Sequence, residues 1–287
     1  MKNVFYWSIV AALAGLLFGF DTVVISGADK KLQNLWESSD GFHGTVVMGM
    51  ALWGTVVGAL FGSFPTQRLG RKTTLFWIGV LYTISAVGSA LSNDPIVFAV
   101  FRFIGGLGVG ISTIAAPAYI SEIAPPKDRG RLVGLYQFNL VFGILLAFLS
   151  NYLLSDIGDN AWRWMMGVEA FPAILFTLLC LTIPKSPRWL ITRGLVDEAK
   201  AIYAKVDPNG SFDQLLQEIN QSVTSENKSE SIFNKKYRFP LKLAFLVAFF
   251  NQLSGINAFL YYAPLRFHIF FHIPSLMLRT YLYLYLP

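Results

Sequence analysis

The stretch VFYWSIVAALAGLLFGFDTVVISGA, residues 4–28, decides the fold class of this chain. Its single charged residue is Asp21, and about 20 apolar residues are enough for a helix to cross the hydrocarbon core of a bilayer. A carboxylate at that depth costs about 2.5 to 3.5 kcal/mol on insertion scales, so it requires a partner or a proton. The run is also too long for the apolar part of a cleavable signal peptide. We therefore predict a permanent membrane span that carries a functional acid.

The composition of the whole chain is typical of a membrane protein. Of its 287 residues, 54% are apolar and only 14% are charged, whereas about a quarter of the residues of soluble domains are charged. A single cysteine, Cys180, excludes an internal disulfide framework and a thiolate metal site. The net charge of +6 arises mainly in short connections between apolar runs, which favours a topology signal over nucleic-acid binding. The chain contains no P-loop, HExxH or GxSxG motif, so we predict neither enzyme activity nor a bound cofactor.

Seven apolar runs of about 18 residues or more predict seven spanning helices. They cover residues 4–28, 44–65, 73–92, 95–121, 132–154, 164–183 and 243–264. With the amino terminus in the cytoplasm, 17 Lys and Arg residues lie on the cytoplasmic side and three lie outside, as the positive-inside rule requires. The predicted fold class is an all-α membrane protein. Its parts are a six-helix transmembrane bundle (1–184), a cytoplasmic linker with short helices (185–240), a seventh transmembrane helix (241–264) and an apolar tail (265–287).

Three ionisable side chains lie well inside the predicted spans, namely Asp21, Arg102 and Glu169. At about 1.5 Å per residue, all three fall roughly 8 to 10 Å below the outer edge of their runs. One arginine cannot neutralise two carboxylates, which leaves one acid able to bind and release a proton. This interpretation predicts proton coupling. The alternative is an interhelical salt bridge that only stabilises packing.

The seventh predicted span contains a series of polar side chains, in FFNQLSGINAFLYYAP, and Gln137 adds an isolated amide on the fifth. Amides donate and accept hydrogen bonds, and tyrosines add a hydroxyl group and an apolar face, a combination suited to a neutral sugar. The alternative is hydrogen bonding between helices, which is common for Asn and Gln in membranes. The glycines of IGGLGVGIS lie inside a span, so we predict that they allow close helix packing.

Six motifs occur in order along the chain: GLLFGFDTVVISGA, RLGRK, FRFIGGLGVG with PAYISEIAPPKDRGRL, YQFNLVFG, PKSPRWL and NQLSGINAFLYYAP. Through them the chain resembles the sugar porters of the major facilitator superfamily, most closely the bacterial proton-coupled xylose and hexose symporters. The fold implied by this resemblance is an amino-terminal six-helix bundle, a cytoplasmic helical linker and a seventh transmembrane helix. Lys185 departs from the family pattern, which usually has an acid at this position.

The resemblance also assigns roles to residues. It implies proton coupling by Asp21, Arg102 and Glu169. It implies that the sugar is contacted by Phe20, Gln137, Asn251, Gln252, Asn257 and Tyr261. It implies a cytoplasmic gate formed by Arg68, Gly70, Arg71, Glu122, Arg129 and Arg188. No metal site is implied, and the proton is the only coupling ion.

The function expected from this resemblance is proton-coupled uptake of a hexose or pentose by alternating access, in the bacterial inner membrane. Two alternatives stay open: a facilitative sugar uniporter, and a non-transporting membrane fragment or sugar sensor. After residue 264 the sequence no longer resembles the family. We therefore expect that the carboxyl-terminal half of the carrier is missing and that this polypeptide alone transports poorly or not at all.

Overall fold

The computed structural model describes residues 2–207, 210–226, 234–256 and 260, and these residues contain helices and no strand. In chain order the α-helices are α1 (Lys2–Val24), α2 (Asp29–Leu35), α3 (Asp40–Phe42), α4 (Met50–Phe61), α5 (Ser63–Arg68), α6 (Arg71–Leu91), α7 (Pro95–Ile123), α8 (Arg129–Leu154), α9 (Ala161–Gly167), α10 (Ala170–Thr182), α11 (Pro187–Thr192), α12 (Val196–Val206), α13 (Phe212–Glu226) and α14 (Arg238–Leu253). Short 3₁₀ helices cover Ile25–Gly27 and Lys235–Tyr237, and a π-helix covers His43–Met48.

Six helical stretches among the described residues are long and apolar enough to cross a membrane. They are Asn3–Gly27, Asp40–Phe61, Arg71–Leu91, Pro95–Ile123, Arg129–Leu154 and Ala161–Thr182. These stretches confirm the first six predicted spans. The seventh prediction, residues 243–264, overlaps α14, which begins earlier and has 16 residues. A turn follows α14, with Gly255 at a φ of 72°, and the end of the predicted span lies outside the described residues.

The chain divides into two compact units, residues 1–229 and 230–287. In the first unit α7 is central, because it packs against α1, α4, α6 and α8. The core of this unit is apolar and includes Val10 of α1, Leu75 of α6, Val109 of α7 and Phe176 and Cys180 of α10. The second unit contains α14, whose described side chains are mostly exposed.

Glycines bring α4 and α7 into close contact. A Cβ atom on Gly54 or Gly58 of α4 would overlap main-chain oxygen atoms of α7, and one on Gly106 or Gly110 of α7 would overlap main-chain oxygen atoms of α4. Small residues at such positions let two backbones approach each other inside a membrane. The packing role predicted for the glycines of IGGLGVGIS is thus confirmed for Gly106 and Gly110.

The sixth span is broken between α9 and α10 by two turn residues, Val168 and Glu169. Pro172 has no N–H group, so it cannot donate to the carbonyl of Val168 four residues earlier. The N–H of Phe171 donates to that carbonyl instead, at 3.2 Å. The prediction of one continuous helix over 164–183 overlooked this break, which places Glu169 at a loosened turn.

Candidate functional site

Asp21 and Arg102 form a buried ion pair inside the first unit. Both side chains are 1% exposed, and Arg102 Nη1 donates to Asp21 Oδ1 at 2.5 Å. Arg102 Nη2 donates to the main-chain carbonyl of Asp21 at 2.8 Å. Asp21 lies three residues before the end of α1, where helix carbonyls lose their intrahelical partners. Arg102 therefore pairs with the carboxylate and also caps the helix end, where a cation is favourable.

Glu169 lies beside this pair. It is 1% exposed and interacts electrostatically with both Asp21 and Arg102. Both oxygen atoms of Glu169, and Oδ2 of Asp21, are buried and reach no direct hydrogen-bond geometry with a described residue. The structure thus brings together the three charged residues selected by depth: one guanidinium faces two carboxyl groups in a site without access to bulk water.

Gly105 keeps the space beside the ion pair open. A Cβ atom there would lie 3.2 Å from Asp21 Oδ1 and would overlap the side chain of Ser85. Ser85 is 1% exposed, and its hydroxyl oxygen meets no direct hydrogen-bond geometry with a described residue. The site is therefore polar and tightly enclosed, and its residues come from α1, α6, α7 and the turn before α10.

The residues predicted to contact sugar fall on different parts of the chain. In the first unit, Phe20 is buried on α1 with 5% exposure, whereas Gln137 is exposed on α8. In the second unit, Asn251 and Gln252 are exposed on α14. The other two predicted contacts, Asn257 and Tyr261, lie outside the described residues.

The predicted gate contains one ion pair with an additional hydroxyl donor. Arg71 Nη2 lies 2.8 Å from Glu122 Oε1, and Ser186 Oγ donates to Glu122 Oε2 at 2.5 Å. Arg71 Nη1 also donates to the main-chain carbonyl of Thr66 at 3.3 Å. Glu122 thus connects the start of α6 with the segment before α11. Ser186 was missed in the sequence, because a serine in PKSPR carries no charge that would single it out.

Gly70 and Trp189 form a second contact at the same end of the bundle. Gly70 has a φ of 86°, and a Cβ atom there would lie 2.9 Å from the indole ring of Trp189. The indole Nε1 donates to the carbonyl of Gln67 at 2.8 Å. Arg193 donates to the carbonyls of Gln67 and Arg68 at 3.2 and 2.9 Å. Trp189 and Arg193 were also missed, because main-chain acceptors leave no sequence signal.

The other predicted gate arginines take different positions. The Arg68 guanidinium lies 4.4 Å from the ring centroid of Phe64. Arg129 and Arg188 are exposed. Arg188 lines an open cavity of about 440 Å³ together with Arg71, Glu122 and Arg193.

A buried pair lies near the opposite end of the bundle. His43 Nε2 is 2.8 Å from Asp29 Oδ1, with side-chain exposures of 5% and 6%. Ser38 Oγ lies 3.2 Å from the other ring nitrogen, Nδ1. The pair joins α2 to the π-helix near the start of the second span. Nothing in the spacing of Asp29 and His43 predicts this contact, because the two residues flank an irregular connection.

Comparisons with known proteins agree on one family. The family model described as "Sugar (and other) transporter" matches residues 7–270. The D-xylose-proton symporter of Escherichia coli (strain K12) is 36% identical over 292 residues, covering 91% of this chain and 60% of the symporter. The arabinose-proton symporter of Bacillus subtilis (strain 168) is 36% identical over 265 residues, covering 90% and 57%.

A solved structure gives the same result. The partially occluded inward-open conformation of the xylose transporter XylE from E. coli matches with a TM-score of 0.80 at 34% identity. The match covers 91% of this chain and 66% of that chain. The chain spans about 60% of the length of the curated relatives that it matches.

Proposed function

This chain belongs to the sugar (and other) transporter family and has the amino-terminal six-helix bundle of the major facilitator fold, and from that premise we propose that it supplies the proton-binding half of a proton-coupled monosaccharide carrier. The relatives are named as proton symporters of D-xylose and arabinose. We propose a pentose or hexose as the substrate class, the proton as the coupling ion, and neither a catalytic role nor another cofactor.

The observation that carries this proposal is the convergence of Asp21, Glu169 and Arg102 in one buried site. Arg102 holds Asp21 through a direct bond, so a second ionised carboxylate beside them would leave an uncompensated buried charge. A proton on Glu169 removes that charge. Binding and release of this proton change the net charge of the site, and a conformational equilibrium responds to such a change when its two states hydrate the site differently.

The remaining parts follow the alternating-access scheme. We propose as sugar contacts the residues that the family resemblance assigns to this role, namely Phe20, Gln137, Asn251, Gln252, Asn257 and Tyr261. The cytoplasmic gate is proposed to consist of Arg68, Gly70, Arg71, Glu122, Arg129 and Arg188. The excess of Lys and Arg in the connections assigned to the inside supports a cytoplasmic amino terminus. We propose the bacterial inner membrane as the location.

Infrared spectroscopy of the purified chain tests the proton site. The carbonyl stretch of a protonated carboxyl group should be present at neutral pH and should disappear in Glu169→Gln. The matched control is Glu198→Gln, whose carboxylate forms a 44% exposed pair with Lys185 and should leave the band unchanged. If the wild-type chain lacks the band, or if the band survives in Glu169→Gln, Glu169 is not the proton carrier.

A uniporter is the second candidate, because the direct ion pair of Asp21 with Arg102 is already charge-balanced. The two candidates differ in proteoliposomes that carry a pH gradient and contain this chain together with a carboxyl-terminal half of the carrier. Proton coupling requires that Glu169→Gln stops gradient-driven sugar accumulation while sugar exchange continues. Unchanged gradient-driven uptake in this variant would support uniport and a structural role for the charges.

A further inference from the structure

Three buried hydroxyl groups, those of Tyr82, Ser112 and Tyr136, extend from the ion pair into the middle of the bundle, and we refer to this row as the file. Tyr82 of α6 and Ser112 of α7 are both 0% exposed, and Tyr136 of α8 is 8% exposed. Tyr82 lies near enough to Asp21, Glu169 and Tyr136 to interact with their charges, and its hydroxyl lies near that of Ser112. The proposed function assigns no role to these three hydroxyl groups.

The hydrogen bonds of Ser112 and its position on α7 show how far the file extends along the bundle. Ser112 Oγ donates to the carbonyl of Val109 at 2.7 Å, so its lone pairs can accept the hydroxyl hydrogen of Tyr136, whose oxygen lies 3.3 Å away. Ser112 follows Arg102 by ten residues on α7, a distance of about 15 Å along the helix toward the end that carries Glu122. The file therefore connects the depth of the ion pair with the middle of the span.

Several oxygen atoms near the ion-pair end of the file are buried without direct hydrogen bonds. Within the described residues they include the Tyr82 hydroxyl, the Ser85 hydroxyl, Asp21 Oδ2 and both carboxyl oxygens of Glu169. An unsatisfied buried polar group costs about 1 to 3 kcal/mol. At position 82 a phenylalanine would fill the same apolar space without that cost. Groups of this kind are usually bridged by internal water.

The far end of the file approaches the surface of α8. Gly15 of α1 allows the close approach, because a Cβ atom there would overlap the main chain of Tyr136 and would lie 3.1 Å from its ring. The next residue, Gln137, is exposed. The file thus ends at Tyr136, one residue before Gln137, which is a proposed sugar contact.

We propose that Tyr82, Ser112 and Tyr136, together with internal water, form the path along which a proton moves between the Asp21 and Glu169 carboxyl groups and the Gln137 face of α8. This inference rests on the proposed proton-binding function of Glu169. Each oxygen on the path accepts a proton on a lone pair and passes its own hydrogen to the next oxygen. One O–H bond forms for each that breaks, so the transfer needs no oxidant or reductant.

Hydrogen–deuterium exchange of the protonated carboxyl group tests the path in the full 287-residue chain. The carbonyl stretch shifts when the carboxyl hydrogen is replaced by deuterium, so its rate of change after transfer to D₂O reports proton access. We expect Tyr82→Phe, Ser112→Ala and Tyr136→Phe each to slow this exchange by about tenfold or more, because each removes a relay oxygen. The same conditions applied to Glu169→Gln identify the band.

Tyr119→Phe is the matched control. Tyr119 is also 0% exposed on α7, but its hydroxyl donates to the carbonyl of Pro184 at 2.8 Å, away from the file. Its removal should leave the exchange rate within about twofold of wild type. Thermal unfolding of each variant shows whether the chain remains folded, and Ser112→Ala is the smallest change if a tyrosine variant unfolds.

The outcomes separate the two proposals. Exchange at the wild-type rate in folded Tyr82→Phe and Tyr136→Phe would refute the path, while the band lost in Glu169→Gln would leave the proton site standing. If the wild-type chain has no such band, the proton site fails and the path fails with it. Equal slowing in Tyr119→Phe would mean that loss of any buried hydroxyl slows opening of the bundle, and this result would also refute the path.

Discussion

Removing the two acids that face Arg102 should have a strongly non-additive effect on stability. In Asp21→Asn, Arg102 keeps its bond to the main-chain carbonyl, and Glu169 can ionise as a substitute counter-ion. The expected cost is therefore about 1 to 2 kcal/mol, toward the lower end of the roughly 1.5 to 3 kcal/mol of a bond to a charged group. In Glu169→Gln, Arg102 keeps Asp21, and the free energy of unfolding should change by less than about 1 kcal/mol.

The double variant is different, because it leaves a guanidinium with 1% exposure without any carboxylate beside it. Breaking a buried charge pair costs about 3 to 5 kcal/mol. The loss in the double variant should therefore exceed the sum of the two single losses by about 2 kcal/mol, within the range of coupling energies measured for residues in contact. This excess measures how well Glu169 replaces Asp21 as the partner of Arg102.

The sole cysteine supplies the assay. Cys180 is 0% exposed in α10, so a thiol-reactive fluorogenic dye labels it only when the bundle opens. On the scale of domains of 150 to 250 residues, the excess corresponds to a melting temperature roughly 4 to 8 °C below the additive expectation.

The matched control is the exposed pair Lys185 and Glu198, whose single and double alanine variants should add with small effects. Additivity within about 1 °C at Asp21 and Glu169 would refute the reasoning that both acids serve one cation.

Three further variants test other contacts with the same thermal assay. Gly70→Ala should destabilise by about 1 to 3 kcal/mol, because it combines a φ of 86° with an overlap on Trp189; Gly194→Ala, at a φ of 77° in open space, is the control, and equal losses would mean that the indole contact contributes nothing. Asp29→Asn should destabilise by about 1 to 3 kcal/mol, because it weakens the buried hydrogen bond to His43, whereas the exposed Asp40→Asn should change little, and the opposite ranking would contradict the buried pair. Pro172→Ala adds an N–H donor in the first turn of α10, where proline is tolerated, so it should raise stability by no more than about 1 kcal/mol; a lower melting temperature would show that the break at Glu169 is stabilised by its own packing.

The spanning helices and the buried charges could be predicted from the sequence for the same physical reason. A membrane tolerates few polar groups, so an uninterrupted apolar run marks a span and a charge such as Arg102 inside it marks a site. The described residues confirm six of the seven predicted spans. The similar depth of Asp21, Arg102 and Glu169 in their apolar runs also predicted that Asp21 and Glu169 belong to this site.

The contacts that were missed depend on groups without a distinctive pattern. Trp189 and Arg193 bind main-chain carbonyls, and every residue offers such a carbonyl. The contact between Asp29 and His43 crosses an irregular connection, where spacing does not determine which side chains meet. The hydroxyl of Tyr82 lies within an apolar helix, where a tyrosine cannot be distinguished from an ordinary aromatic packing residue until its neighbours are known.

The bond from Arg102 to the main-chain carbonyl of Asp21 bears on how coupling can change during evolution. This bond depends on no acidic side chain, so it remains available to Arg102 when one of the two acids is replaced. Under the proposed function, a carrier would therefore lose proton coupling through one Glu169→Gln substitution, which requires a single nucleotide change, without rebuilding the helix packing around it. Gains and losses of coupling are then expected to recur among closely related lineages, separated by a single mutational step.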